Sequence, residues 1–389
     1  MDLTTGGEMT GQETYPQETL NTLILTCIEH FNPGNALQLY RKAGSATAVI
    51  DNRLDIRSIL PDCSQRVADA LNDIERARRK AENEMEYTLR NGIKTLCIGT
   101  DDYPRRLREC ADAPLALFYK GTAELNRRRV ISIVGTRRCT AYGQDCVRSF
   151  VKDLRAACPD TLIVSGLAYG IDICAHREAL ANGTDTVAVL AHGLDYLYPP
   201  RHKDTADKML TQGGLLTEFF THTNADKLNF LRRNRIVAGI SDATIVVESA
   251  SHGGGLVTAR IATSYDRDVF AFPGRAGDEC SQGCNNLIRD RKATLITCAD
   301  DFVRAMGWQD DARLETVRRQ GIETTLFPDL SDDEQRAIDT LKGENDLQIN
   351  SLAARTGQSI GNLTAIMFSL EMKGMVRCLA GGVYHLLRD

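Results

Sequence analysis

The chain of 389 residues is 42% hydrophobic and 25% charged, an ordinary soluble composition that allows two to three domains with at least one large core. Its net charge is −5, so any site for an anion has to be built by local clustering of cations rather than by bulk charge. No apolar run approaches the ~18 residues of a membrane helix, and the N-terminal stretch MDLTTGGEMTGQETYPQETL lacks the basic-then-apolar order of a secretory signal and reads as a short disordered tail.

Residues 18–90 read as helical. QETLNTLILTCIEHF and ATAVIDNR carry apolar residues at helical spacing, and NPGN at 32–35 is predicted to turn between them. A charged helix over 74–92 ends at Asn91-Gly92. Pro104 and Pro114 mark a connecting region with the short extended pieces TLCIG and LALFYKG. From residue 130 the pattern changes to short, β-branched, apolar runs at 130–135, 161–166, 186–193, 214–220, 243–250, 268–274 and 293–297. Helical candidates separate them at 142–157, 170–182, 201–212, 226–240, 256–266 and 284–291. Near-continuous apolar strands alternating with helices predict a Rossmann-like, doubly wound parallel sheet buried on both faces. A polar linker is read over 306–328. Beyond it, LSDDEQRAIDTLK opens with a capping box from Ser331 and Glu334, two more helices follow, and a Gly381-Gly382 turn joins two extended pieces. Three helices and a hairpin in ~60 residues are the winged-helix pattern. Its third helix, 360–376, has only Lys373 as a cation, which favours a structural or protein-contact role over reading DNA. The expected domains are thus 1–92 helical, 93–305 Rossmann-like, 306–328 linker and 329–389 winged helix.

In an open parallel sheet, ligands bind beyond the carboxyl ends of the strands. The loops there are GTRRCTAYG, SGLAYGID, HGLDYLYPPRHK, LNFLRRNRIVAGIS and SHGGGLVTAR. Three of them feed glycines into a helix start, where backbone N–H groups and the helix dipole favour an anion. The same loops supply Arg137, Arg138, Arg201, Lys203, Lys227, Arg232, Arg233 and Arg235, with Tyr169, Tyr196, Tyr198 and Phe230 among them. Cations, amides and aromatic faces on one edge suit single-stranded nucleic acid. Arg233 and Arg235 are two apart and cannot share a helix face. Either the helix starts at or after Asn234, which caps it and leaves Arg233 on the loop with Arg235 reaching the pocket or a carboxylate such as Asp172 or Glu248, or it starts near Asp226 and presents Arg232 and Arg235 together.

Other chemistries lack their residues. There is no GxxxxGK[ST], no GxGxxG and no acidic residue at the end of the second strand, which excludes a P-loop and makes a dinucleotide cofactor unexpected. The twelve cysteines show no CxxC, and Cys280 and Cys284 lack two further ligands, so they read as reduced cytosolic thiols and no metal is expected. His176 reads as a packed histidine bonded to a loop, and Asp172 as a helix-starting cap. No catalytic triad or dyad stands out.

The motifs IVGTRRCTAYG, SGLAYGIDICAHREAL, HGLDYLYPPRH, LLTEF, NFLRRNRIVAGIS, VVESASHGGGLVTARIA, FAFPG and GCNNLI, in this order and spacing, resemble the DNA-processing protein A (DprA/Smf) family. The lead-in DDYPRRLRECADAPLALFYKG at 101–121 is similar as well. The resemblance implies a cytoplasmic, non-enzymatic, homodimeric protein without a cofactor that binds single-stranded DNA in natural transformation and recombination and loads RecA onto it. Its DNA-contacting set would be Gly135, Thr136, Arg137, Arg138, Ser165, Gly166, Gly170, Asp172, Arg201, Lys203, Phe230, Arg232, Arg233, Asn234, Arg235, Gly253, Gly254, Gly255 and Thr258. Tyr169 stands where the family often has Arg, Leu231 where it has Pro, and Lys292 where it has Gly. The resemblance also places a dimer contact around 285–297, where Leu287, Ile288, Leu295 and Ile296 are candidates, the last two reading more as core. Two rivals remain open. One is a Rossmann-like phosphoribohydrolase, which would want a glutamate after the Gly-Gly loop where Thr258-Ala259-Arg260 stands; the other is a regulatory winged-helix protein reading duplex DNA.

Overall fold

The computed structural model describes residues 16–28, 33–61, 63–309, 330–379 and 382–387, in two compact units that divide between Ala312 and Arg313. Most of the predicted tail and linker, and one residue of the Gly381-Gly382 turn, lie outside the described residues.

The first unit begins with helices α1 Gln17–Cys27, α2 Pro33–Ala43, α3 Ala46–Asp51, α4 Ile56–Ile59, α5 Gln65–Asn72 and α6 Glu75–Arg90. Pro33, Gly34 and Asn35 form the first turn of α2 rather than a reverse turn, which suits proline's fixed φ and missing N–H. The charged helix α6 buries Ala77, Ala81, Glu84, Met85 and Thr88 along one stripe and turns its charges outward. Glu84 is the exception. Its carboxylate accepts the N–H of Thr221 at 2.9 Å and the Thr221 hydroxyl at 2.7 Å, tying the helical bundle to the loop that leads into the arginine-rich helix.

The sheet has nine strands: β1 Lys94–Cys97, β2 Ala116–Gly121, β3 Arg129–Gly135, β4 Thr161–Ser165, β5 Thr186–Val189, β6 Gly213–Thr217, β7 Ala243–Val247, β8 Asp268–Ala271 and β9 Thr294–Leu295, in the order β1-β2-β6-β5-β4-β3-β7-β8-β9. Strands β3 to β9 are parallel, as expected. The two connecting pieces, read only as extended, extend the sheet antiparallel beyond β6. Alternation along β3 fills both faces: Val130 and Val134 join one core cluster, Ile131 and Ile133 the other. The other described helices of the unit are α7 Arg105–Arg108, α8 Ala141–Ala157, α9 Ile171–Ala181, α10 Lys203–Met209, α11 Lys227–Gly239, α12 Gly254–Ser264, α13 Gln282–Arg289 and α14 Ala299–Ala305. Trp308, within the stretch read as linker, is buried and meets Phe302 edge-on at 5.2 Å, so the core reaches past α14. Ile296 is fully buried and Leu287 nearly so, as core, while Leu295 on the edge strand β9 is 46% exposed, contrary to its reading as core.

Among the described residues the second unit has α15 Asp332–Gly343, β10 Leu347–Gln348, α16 Ile349–Thr356, α17 Ile360–Met372, β11 Val376–Leu379 and β12 Val383–Leu386, with these strands in the order β10-β12-β11. The predicted capping box is present, with Ser331 accepting from Glu334 N–H and Glu334 accepting from Ser331 N–H. Gly357 ends α16 in the left-handed conformation at φ 70°.

Candidate nucleic-acid interface

Strand order reverses around β3, which pairs with β4 on one side and β7 on the other. The chain leaving β3 and the chain leaving β7 therefore run to opposite sides and open a crevice. A cleft of about 640 Å³ lies there, floored by Val134, Gly135 and Thr136, with Gly166 and Ala168 from the loop after β4 and Gly253, Gly254, Gly255 and Thr258 from the start of α12. Helix α11 forms the remaining wall with Lys227, Phe230, Leu231, Arg233, Asn234 and Val237.

Small residues make the crevice possible. A Cβ on Gly135 would lie 2.0 Å from the Val247 carbonyl oxygen, and one on Gly170, at φ +80°, would lie 2.1 Å from that of Thr136. Gly254, the first residue of α12, is exposed, with open space where a Cβ would stand.

The start of α11 decides which arginine faces the cleft. Asp226 caps the helix, its carboxylate accepting the N–H of Asn229 at 2.7 Å, and the helix runs from Lys227. Asn234 therefore lies mid-helix and caps nothing. The helix start near Asp226 is thus the one found, but Arg232 and Arg235, three apart and about 60° from one another on the helix, face different partners and neither lines the cleft. Arg233 alone reaches the cleft floor. It is 4% exposed, and its guanidinium donates to the Gly166 carbonyl at 2.6 Å and to the Val189 carbonyl. Arg235 points away and is buried against the Glu218 carboxylate and the Asp112 carbonyl, not against Asp172 or Glu248. Arg232 is exposed, over the Phe219 ring at 5.4 Å, in a separate groove facing α1, α2 and α6.

Burial pulls the pKa of Arg233 down to about 10, with Asp172 opposing the fall and Arg137 adding to it. The guanidinium thus stays charged at neutral pH, within a site that cannot solvate it fully. Asp172 sits in the first turn of α9, whose N-cap is Gly170, so it is not the cap. Burial raises its carboxyl above the ordinary range, while Arg233 and the backbone N–H groups of Ala168 and Gly166 work against that rise. Arg137 is exposed at the rim and stacks over Phe230 at 4.9 Å, and Tyr198 approaches the same ring at 6.0 Å. The wall therefore combines a fixed buried cation, a mobile-stem cation and an aromatic face.

Several predicted contacts lie elsewhere. Ser165 is fully buried and gives its hydroxyl to the Ile133 carbonyl at 2.6 Å. Arg138, Arg201 and Lys203 are exposed and outside the cleft lining, and Lys203 pairs with Asp207 at 2.6 Å. His176 is buried with its Nδ1 at 2.7 Å from the Thr186 hydroxyl, on strand β5 rather than a loop, and burial drops its pKa to about 3. His192 links Gly193 and Tyr198 of its own loop. Lys227 lines the cleft but was missing from the contact set, because its place depends on the helix starting at Asp226. Glu248, named above only as a possible partner of Arg235, is buried at φ 51° and accepts the N–H of Thr140, the N-cap residue of α8, at 2.8 Å.

A family model described as DNA recombination-mediator protein A matches residues 94–307. The chain belongs to the DNA recombination-mediator protein A family. A second model, the DprA winged helix domain, matches 324–382. Similar proteins include a putative DNA processing protein DprA of Mycobacterium tuberculosis, 32% identical over 79% of this chain and 81% of that one. Protein Smf of Escherichia coli K12 is 34% identical over 80% of this chain and 82% of its own length. Among solved structures, DprA of Streptococcus pneumoniae matches with a TM-score of 0.62 at 32% identity, covering 74% of this chain and 97% of that one. DNA processing protein A of Helicobacter pylori, described for its single-stranded DNA binding mode, matches with a TM-score of 0.50 at 28% identity over 55% of this chain and 95% of that one. The Rossmann-like sheet and winged helix expected from the sequence are thus those of the DprA family. No helix among the described residues is long and apolar enough to cross a membrane.

The buried carboxyl of this DprA-family cleft predicts a pH effect. Asp172 binds its proton more tightly folded than unfolded, so its contribution to stability is greatest at low pH and is lost as pH rises from the ordinary carboxylate range through its raised value. Asp172→Asn should flatten that part of the profile, measured by chemical denaturation from about pH 4 to about pH 8. An unaltered slope would place the carboxyl in solvent.

Proposed function

We propose that the chain binds single-stranded DNA without sequence preference in the cleft beyond β3, β4 and β7, and does so without catalysis. The observation that carries this reading is Arg233, a charged guanidinium held below the surface by two strand-end carbonyls and facing the cleft beside the α12 amides. Among the described residues, the hydrogen bonds of this guanidinium go to uncharged oxygens, and phosphate would add a full negative charge beside it. Phe230 and Tyr198 offer faces that any base can stack on. The family's description as a recombination mediator supports a role in recombination; hand-over of the coated strand to RecA, in the cytoplasm and on DNA taken up in transformation, is part of the same proposal. Homodimerisation through the β9 edge around Leu295 would let neighbouring copies share a strand.

Three cations line the cleft: Arg137, Lys227 and Arg233. At ~0.7 per single-strand contact, the log–log salt slope of oligo-dT binding should be about −2. Arg137→Ala should weaken binding about tenfold and bring the slope to about −1.4, with unfolding unchanged because the side chain is exposed. Fluorescence titration at several salt concentrations measures both; a flat response would remove the phosphate clamp.

A further inference from the structure

The third helix of the winged-helix unit, α17, has no lysine or arginine along IGNLTAIMFSLEM. Lys373, just beyond it, bonds both carboxylate oxygens of Glu334 at 2.7 Å. The described part of the unit carries five Lys or Arg against seven Asp or Glu. A face meant for phosphate needs the opposite balance. Yet α17 exposes large apolar side chains: Phe368 is 64% exposed and Met372 75%.

These two continue a stripe with Gly361 and Ala365, both exposed, at steps of four, three and four residues, which share one helix face. The stripe pairs small residues at one end with large ones at the other. A two-fold axis between Ile366 and Met367 sets Gly361 against the second copy's Met372 and Ala365 against the second copy's Phe368. Every large side chain then meets a small one. Gly361 adds an independent observation: a Cβ there would meet nothing within 4 Å, so the fold of this unit gives no steric reason for glycine. A close approach from outside does.

We propose that α17 is a self-association surface, on which the winged-helix unit docks antiparallel against the same helix of a second copy. Such a contact is isologous and closes on itself. Combined with a separate two-fold contact elsewhere in the chain, it would join dimers into linear arrays that can follow an extended ligand.

The test uses the full chain in sedimentation velocity over a range of concentrations. Phe368→Lys and Ala365→Glu each alter one side of the same pair, at exposed positions where the fold is retained, as unfolding curves would verify. Each variant alone should need about tenfold higher concentration to reach the wild-type mass. An equimolar mixture should recover association, because the introduced glutamate of one copy meets the introduced lysine of the other while the second pair keeps alanine against phenylalanine. A dimer made elsewhere in the chain persists in all samples and does not confuse the reading. The proposal is overturned if both variants sediment as wild type, or if both weaken association and the mixture does not recover. Loss of duplex-DNA binding by Phe368→Lys with unchanged mass would likewise overturn it, in favour of nucleic acid.

Discussion

Arg233→Met should lose about 30- to 150-fold in affinity for oligo-dT, the equivalent of about 2 to 3 kcal/mol for removing one member of a buried charge interaction. Methionine keeps the length and apolar stem of the side chain but removes the donors and the charge. The carbonyls of Gly166 and Val189 lose their partner, and each unsatisfied carbonyl costs about 1 kcal/mol of stability. The cation nearest Asp172 also disappears, so that carboxyl should take up a proton at higher pH than before. A destabilised variant leaves binding and folding entangled. Gly166→Ala separates them: its Cβ would come within 2.3 Å of the guanidinium and displace it while keeping the charge. Both variants should bind weakly, whereas Arg232→Ala, in the neighbouring groove, should bind as wild type. Full oligo-dT affinity in a folded Arg233→Met variant would refute the cleft as the DNA site.

The sheet was legible because parallel strands buried on both faces must be nearly continuous runs of Val, Ile and Leu, and β3, β4, β5 and β7 obey that rule. The crevice was legible too, since Gly135 and Gly170 stand where backbone meets backbone and Gly166 where the chain meets the Arg233 guanidinium. What the sequence left open depends on pairings distant along the chain. β2 joins the sheet by pairing with β6, nearly a hundred residues later, and no local pattern announces that. Ser165 and Gly166 are adjacent, yet one points into the sheet and the other into the cleft, by the strand's alternation at its last residue. Arg201 and Lys203 follow an aromatic loop in the sequence but leave it on the outside, where Lys203 has Asp207 one helical turn away. The register of α11 turned on a single carboxylate, Asp226, because the arginine-rich stretch is compatible with two helix starts.

That register makes Arg235 the more damaging arginine to remove for folding and the less damaging for binding. Its guanidinium and the Glu218 carboxylate are both more than nine-tenths buried, and the Asp112 carbonyl takes a further hydrogen bond. Burial already raises the Glu218 pKa, with Arg235 the main cation holding it down. Arg235→Ala leaves that carboxyl buried without its counter-ion, which should cost about 3 to 5 kcal/mol. The cost should shrink at low pH, where Glu218 can protonate, and grow as pH rises through its raised value. Arg235→Met combined with Glu218→Leu should restore most of the loss, since an apolar pair of similar volume replaces the buried charges. Oligo-dT affinity of the double variant should stay near wild type, because the cleft cations Arg137, Lys227 and Arg233 remain. Chemical denaturation of Arg235→Met, Glu218→Leu and the double variant gives the coupling energy directly. Additive losses would mean that the two groups do not act as a pair. Loss of DNA affinity in a stable double variant would mean that Arg235, although turned away from the cleft, sets the position of α11 and through it the place of Arg233.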